Sequence, residues 1–419
     1  MRGAAPAARQ LLRSAVRHHG GNLIPVIIGR GDETVSSLLW RLMSSAPYRS
    51  WVEISLGQIA ANYRAAKAMA GDDVEVMPVV KADAYRHGAV AISRTLCQEG
   101  ARWLAVSNVD EGAALREAGV HCRILVMADF LPVERQALLE YKLTPVIHSL
   151  EDISAWDELL TAQGQSGAYH LKIDSGMGRL GTRAPADEIA RTVQRSGKAQ
   201  LEGLMTHFAS AANYNGSQTS EQMEYFQRLC RQLNALGIAP PWIHLSSTIP
   251  LAYGRRDAWQ RMVRPGHAIY GYVSPVIGSN APPRLLDVKP ALTWKAAVLA
   301  VKDVPAGALI GYGGIFRTPT AMRIAVLAAG YADGIPHRLS NRGRVIAGGK
   351  LAPILGAVSM DLTTIDATQC PALRAGDAVT LLGTEGNVSI DAQQIARLAG
   401  TISYGVLTGI HARVKRIYV

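Results

Sequence analysis

The sequence predicts an α/β fold, a (β/α)8 TIM-type barrel followed by a mostly antiparallel β domain. Three observations carry that expectation. From residue 74 to 271, short β-branched runs alternate eight times with helical stretches, and near-continuous apolar strands between helices mark a parallel sheet covered on both faces. After residue 288 the alternation stops, and strands follow one another across short Gly, Pro and Asp turns, as hairpin-built sheets do. The first run ends in VVKADAYRHG, residues 79–88, without the Gly-rich turn that an open doubly wound sheet would place there.

In chain order the eight expected barrel strands are VEVMPVVKA, RWLAVS, RILVM, LTPVIH, YHLKID, LEGLMTHF, WIHLS and MVRPGHAIYG. Helices such as DEGAALREAG and SEQMEYFQRLCRQLNALG fall between them. WVEISL, at 51–56, is the first patterned strand, so the barrel is expected over 51–288. LDVKP, at 286–290, reads as a hinge. The second domain, 289–419, is expected to use LTWKAAVLAVKDV, RIAVLAAGY, GRVIAGG, LAPILGAVSMD, DAVTLLG and ARVKRIYV as strands, with one helix near IDAQQIARLAG.

Composition narrows the function classes. A chain of 419 residues, 48% hydrophobic, can bury a large core. Its longest apolar runs, such as LIPVII at 23–28, fall far short of the roughly 20 residues that span a bilayer. The formal charge is +11, yet the first 50 residues hold seven Arg against two acids. The remaining cations form no aromatic-interleaved stripe, so an anionic small molecule is expected rather than nucleic acid. Residues 1–50 are expected to be an extension outside the core, read as a disordered extension or a segment ahead of a start at Met43 in preference to a targeting peptide. Cys97, Cys122, Cys230 and Cys370 form no C-x-x-C pair, which predicts reduced thiols in a cytoplasmic protein and no metal site.

At C-terminal strand ends, where barrels carry their chemistry, the sequence places Lys81, Lys172, His207 and Arg264. A Lys among apolar neighbours has a lowered pKa and suits covalent bonding to a carbonyl. Arg179, in a Gly-rich turn, could clamp a carboxylate through its guanidinium fork. Lys172 and Asp174 are two apart on one strand, share a face, and could pair.

The decamer VVKADAYRHG resembles the pyridoxal-lysine motif of alanine racemases, and the resemblance continues in order through LKIDSGMGRLG, HLSSTIP, MVRPGHAIYG, IGYGGIF, AAGYADG and GAVSMD. It implies a pyridoxal 5′-phosphate enzyme that interconverts L-alanine and D-alanine to supply peptidoglycan synthesis, acting as a homodimer with shared active sites. Lys81 would hold the cofactor and act as one base, and Tyr312 would be the other. Tyr85, Ser247, Thr248 and the backbone amides of Gly266 and His267 would bind phosphate, and Arg264 would face the pyridine nitrogen. A phenol needs help to act as a base near neutral pH, and His207 would supply it, hydrogen-bonded in turn to Arg264. Arg179 and the Met360 amide would take the substrate carboxylate, Tyr331 would narrow the entrance, and Lys172 would be carboxylated on its side-chain nitrogen. Two positions depart from the family pattern: Ser247, where relatives have Asn, and Arg86, where they have Gly. Gly there permits a positive φ, which costs another residue roughly 1 kcal/mol. A decarboxylase of the same architecture would instead carry an acid at the ring nitrogen.

Overall fold

A computed structural model describes residues 48–419 except Asp129. The expected leader, 1–50, lies outside the described residues up to residue 47, and Tyr48–Val419 forms one compact unit.

Each expected barrel run forms its strand. These are β2 (Glu75–Val76), β3 (Trp103–Val106), β4 (Arg123–Val126), β5 (Thr144–Ile147), β6 (Gly167–Lys172), β7 (Ala199–Met205), β8 (Trp242–His244) and β9 (Met262–Val263). Strands β3 to β8 are parallel neighbours in order, and β2 pairs parallel with β9. The Val79–Ala105 bridge ties β2 to β3, and the Arg261 N–H donates to the Ile243 carbonyl to tie β9 to β8. The ring therefore closes. Every residue of β3 and β5 is buried, which is why these strands read as unbroken apolar runs.

Around the ring lie α1 (Leu56–Ala70), α2 (Ala89–Gln98), α3 (Val109–Glu117), α4 (Arg135–Glu140), α5 (Leu150–Ala162), α6 (Ala186–Arg195), α7 (Gln218–Ala235) and the short α8 (Thr248–Ala252). Local chemistry sets their ends. Ser149 caps α5 by accepting from the Asp152 amide, with Glu151 and Asp152 in the first turn, where the helix dipole favours acids. Helix α7 buries Thr219, Gln222, Phe226, Leu229 and Leu233, a spacing of three and four that puts one face on the barrel.

The second sheet starts with β1 (Ser50–Ile54), which the sequence reading had assigned to the barrel. Instead, β1 pairs antiparallel with β10 (Leu292–Val304) and parallel with the last strand, β19 (Lys415–Tyr418). Alternation alone cannot say which sheet a strand joins, and Trp51, 1% exposed, is buried on either reading. Between them come β11 (Leu309–Ile310), β12 (Phe316–Arg317), β13 (Met322–Leu327), β14 (Arg344–Ala347), β15 (Lys350–Pro353), β16 (Thr363–Asp366), β17 (Ala378–Glu385) and β18 (Val388–Ile390). Apart from the β1–β19 pair, this sheet is antiparallel. Helices α9 (Ala392–Ala399) and α10 (Ser403–Thr408) precede β19. An Asp391–Gln394 capping box opens α9, and Gly400 at φ 65° closes it.

The segment 286–290, expected as a hinge, is pinned. Leu286 and Val288 are buried, the Asn62 amide donates to Lys289 O at 2.9 Å, and the Lys289 amide donates back to Asn62 Oδ1 at 3.1 Å. Gly271 lies so close that a Cβ there would stand 1.9 Å from Lys289 O. Among the described residues no helix is long and apolar enough to cross a membrane.

The cysteines bring a correction. Cys97, in the last turn of α2, and Cys122, just before β4, form a disulfide with Cα atoms 6.3 Å apart, within the range a bridge needs. Sequence spacing hid this pair, because it is the return of the chain through β3 and α3 to the start of β4 that brings together residues 25 apart. Cys230 and Cys370 are free. Alkylation at lysis followed by mass spectrometry should label these two cysteines and not the other pair. Labelling of all four would restore the reduced-thiol reading.

Candidate active site

A cavity of about 730 Å³ opens at the C-terminal ends of the barrel strands. Lys81, Lys172, Arg179 and Arg264 line it, and among the described residues no carboxylate does. Tyr85, His207, Ser247, Thr248, Gly266 and His267 share the wall, so the barrel gathers ten of the residues expected at the site.

Lys81 begins a backbone feature that the sequence signalled only at one position. Ala82, Asp83, Ala84 and Tyr85 have φ of 52° to 54°, and Arg86 has φ 67°. Five consecutive non-Gly residues are thus left-handed, at about 1 kcal/mol or more each. Strain is accepted at Arg86, one of the two outcomes its replacement of Gly left open. Glu111, which sequence reasoning missed, holds the turn: its carboxylate accepts from the Ala82 amide at 2.6 Å and the Ser107 amide at 2.7 Å. Asp83 accepts from the Ala89 amide and so ties the turn to α2. Arg86 Nε donates to Thr408 O at 3.4 Å, and Arg416 Nε donates to Arg86 O at 3.2 Å, which links the turn to α10 and β19.

Electrostatics follow from burial among cations. Burial first, then Arg179, lowers the Lys81 ammonium below its usual value. Lys172, 5% exposed, is pushed down to about 8 by burial and then by Arg179 and Arg264. The expected Lys172–Asp174 pairing does not form. Asp174 instead accepts from the amides of Gly176, Met177 and Gly178 and from Arg183 Nε, and so shapes the loop that carries Arg179. Burial and the surrounding cations, Arg264 foremost, hold His207 down at about 3, which keeps its imidazole neutral.

Arg264 is fully buried and pushed down to about 9 by burial. Its Nη2 reaches His207 Nδ1 at 3.3 Å, the contact expected from the sequence. Thr248 Oγ1 accepts from the amides of Gly266 and Ala268, which leaves its hydroxyl proton as a donor. The Gly266 amide, expected to face a phosphate, is engaged by Thr248. Gly266 must lack a side chain, since a Cβ would stand 2.5 Å from Tyr85 Oη. Tyr404 of α10 stacks on His267 with centroids 3.9 Å apart and, with Thr408, lines the cavity. Neither was expected; only the wrap of α10 back onto the barrel mouth reveals them.

Tyr312, Tyr331 and Met360 do not line this cavity. They are exposed on the β domain, Tyr312 at 76%. Tyr312 sits among Gly311, Gly313 and Gly314, all at positive φ. Tyr331 and Met360 are brought together as the Tyr331 amide donates to Ser359 O and the Ala332 amide to Met360 O. Arg413 clamps both loops through Asp333 and Asp361.

Residues 54–275 match the family described as alanine racemase, N-terminal domain, and 291–418 match alanine racemase, C-terminal domain. Alanine racemase of Halothermothrix orenii is 39% identical over 88% of this chain and 96% of its own. The crystal structure of alanine racemase from D-cycloserine-producing Streptomyces lavendulae superimposes with a TM-score of 0.83 at 31% identity, covering 89% of this chain and 98% of that one. Alanine racemase from Bartonella henselae with covalently bound pyridoxal phosphate gives 0.78 at 28% identity, covering 89% and 100%.

The strained turn yields a prediction. Arg86→Gly should stabilise the protein by about 1 kcal/mol in urea unfolding, because Gly adopts positive φ freely. A loss of stability would show that the Arg86 side chain holds the turn to α10 more strongly than its backbone opposes it.

Proposed function

The chain belongs to the alanine racemase family, and on that premise we propose that Lys81 and Tyr312 are the two bases of its interconversion of L-alanine and D-alanine. The observation that carries this reading is a cavity with four cationic side chains and, among the described residues, no acid. Such a cavity requires anions, and a phosphorylated cofactor with an amino-acid carboxylate supplies them at two ends. A decarboxylase would need an acid near the ring nitrogen, where this cavity offers Arg264.

The residues fit pyridoxal 5′-phosphate. Tyr85, Ser247, Thr248 and the His267 and Gly266 segment would hold the phosphate, Lys81 the carbonyl carbon, and Arg264 the ring nitrogen. When bound, the cofactor supplies the electron sink that makes the substrate Cα proton removable. Arg264 is a donor only and leaves the nitrogen unprotonated, which limits delocalisation and favours prompt return of a proton to Cα. Lys81, with its lowered pKa, takes or returns the proton on one face. Tyr312 does so on the other, assisted by neutral His207, and the centre inverts. Arg179 and the Met360 amide would orient the substrate carboxylate, while Tyr331 narrows the entrance.

Residues 55–288 form the cofactor domain in this reading, and 289–419, with β1, the domain that carries Tyr312. Tyr312, Met360 and Tyr331 stand exposed beside Leu309 and Ile315, which are also exposed. A two-fold homodimer would seat this face on the partner's barrel mouth, so that each site draws on both chains. The supply of D-alanine for peptidoglycan places the enzyme in the cytoplasm; the Cys97–Cys122 bond is the feature that counts the other way.

Two experiments test the reading. Lys81→Ala and Tyr312→Phe homodimers should each be nearly inactive in a circular-dichroism assay on L-alanine. Random remixing should restore about a quarter of wild-type activity, since about half the dimers then hold one intact site of two. No recovery despite subunit exchange would mean that both bases come from one chain. Lys172 should take up 13C-labelled carbon dioxide, because its amine loses its proton near 8 and only the neutral amine reacts. The 13C carbamate signal should therefore fall as pH drops through about 8. Absence of signal at high pH would leave Lys172 an ordinary cation.

A further inference from the structure

Arg264 has no carboxylate partner among the described residues, although it is 2% exposed. Its Nη2 donates to Thr206 O at 2.8 Å and Leu245 O at 3.1 Å, and its Nη1 lies 2.8 Å from His244 Nδ1. A guanidinium cannot accept a hydrogen bond, so His244 Nδ1 accepts and its proton resides on Nε2. That Nε2 is 2.8 Å from His170 Nδ1, which accepts in its turn. His170 therefore carries its proton on Nε2, and this faces Glu202 Oε2 at 3.7 Å. Glu202 receives both arms of Arg123, at 2.5 and 2.6 Å, and the Arg123 guanidinium lies 3.9 Å over the Trp103 ring.

The line thus runs through the barrel interior, from the cofactor end of β9 to the first residue of β4. Both histidines are completely buried. Burial holds both imidazoles below their usual pKa, so they stay neutral. Room for the His170 ring comes from Gly203, its partner across β6 and β7, where a Cβ would stand 2.5 Å from His170 Nδ1.

We propose that His170 and Glu202 are positioning residues for the reaction: the carboxylate, in electrostatic contact with His170 Nε2 at 3.7 Å rather than hydrogen-bonded to it, biases the proton order of the His170–His244–Arg264 hydrogen bonds and so holds Arg264 as a donor toward the ring nitrogen. The inference rests on the reading of Arg264 given under Proposed function. Its physical basis is the direction of the line. Two neutral imidazoles can order their protons either way, and in the reversed order His244 would turn an Nδ1–H toward the Arg264 N–H, donor against donor. Arg264 at one end disfavours that order as an obligate donor, and Glu202 at the other disfavours it too, because its carboxylate attracts a proton to His170 Nε2. In Glu202→Gln, Arg123 keeps the amide oxygen and the NH2 falls toward His170 Nε2, which selects the reversed line.

The test begins with 15N-histidine-labelled holoenzyme, in which NMR reads the tautomers of His170 and His244. Both should carry the proton on Nε2, and an Nδ1 proton on either would overturn the proposal whether or not any variant folds. In Glu202→Gln the tautomers should reverse. Racemisation kcat should then fall about tenfold, as expected for one lost charge-assisted hydrogen bond, with KM for alanine nearly unchanged and more transamination per turnover. His170→Gln offers an acceptor and a donor in the same order and should retain most activity, whereas His170→Leu should not. An unchanged ratio of transamination to racemisation in a folded Glu202→Gln enzyme would sink the proposal. Correct tautomers in a wild-type enzyme that does not racemise alanine would overturn the functional reading instead.

Discussion

The constraint on which the rest of this structure depends is the gathering of four cations at one barrel mouth, with no acid among the described residues that line it. Parallel strands deliver side chains from their C-terminal ends to a common point, and Lys81, Lys172 and Arg264 arrive there by topology alone. Arg179 arrives through a loop that Asp174 organises by accepting from three successive amides. Burial first, and then like charges so placed, lowers the pKa of the lysines and demands anions from outside. Two lysines with lowered pKa and a chemically versatile cavity are the consequence.

The β domain adds what a barrel alone lacks. Its central sheet takes in β1 from one end of the described chain and β19 from the other, both against the same strand system, so the two domains are sewn together rather than hinged. The pinned Lys289 segment makes the junction rigid. On the proposed role of Tyr312 that rigidity has a functional meaning, since a loose junction would spread the position of a base carried on this domain over more than a proton can cross. Tyr312, 76% exposed, does not line the cavity of its own barrel.

Much of this was legible in the sequence. The barrel strands stood out as apolar runs because most of their residues are buried, all of them in β3 and β5, and Arg86 announced a strained backbone because it stands where Gly is expected. Other features left no local trace. The strand WVEISL joins the second sheet through pairings some 240 residues away, and the Cys97–Cys122 contact depends on how the chain returns through β3 and α3 to the start of β4. Glu111 and Tyr404 reach the site from a flanking helix and from the far end of the chain, where neither spacing nor residue type marks them. Lys172 and Asp174 did share a strand segment, yet the amides of the next turn claimed the carboxylate, since an acceptor beside three free N–H groups is better satisfied there than by one flexible ammonium.

The left-handed turn after Lys81 shows how such a site is held in place. Five residues in αL cost several kcal/mol together by the usual allowance of about 1 kcal/mol each, so the turn persists only because its surroundings determine it. The supports come from four directions: Glu111 on α3, Asp83 to the start of α2, Thr408 on α10, and Arg416 on β19. A right-handed turn would carry Tyr85 away from Gly266, where the two approach too closely for any side chain but glycine's hydrogen. Lys81 and Tyr85 therefore reach the two ends of one cavity from a single short turn, and the strain is the geometric condition for that reach. The same logic runs through the barrel below, where Arg264 is held by neutral acceptors so that its charge remains directed at the cavity rather than spent on a neighbouring acid.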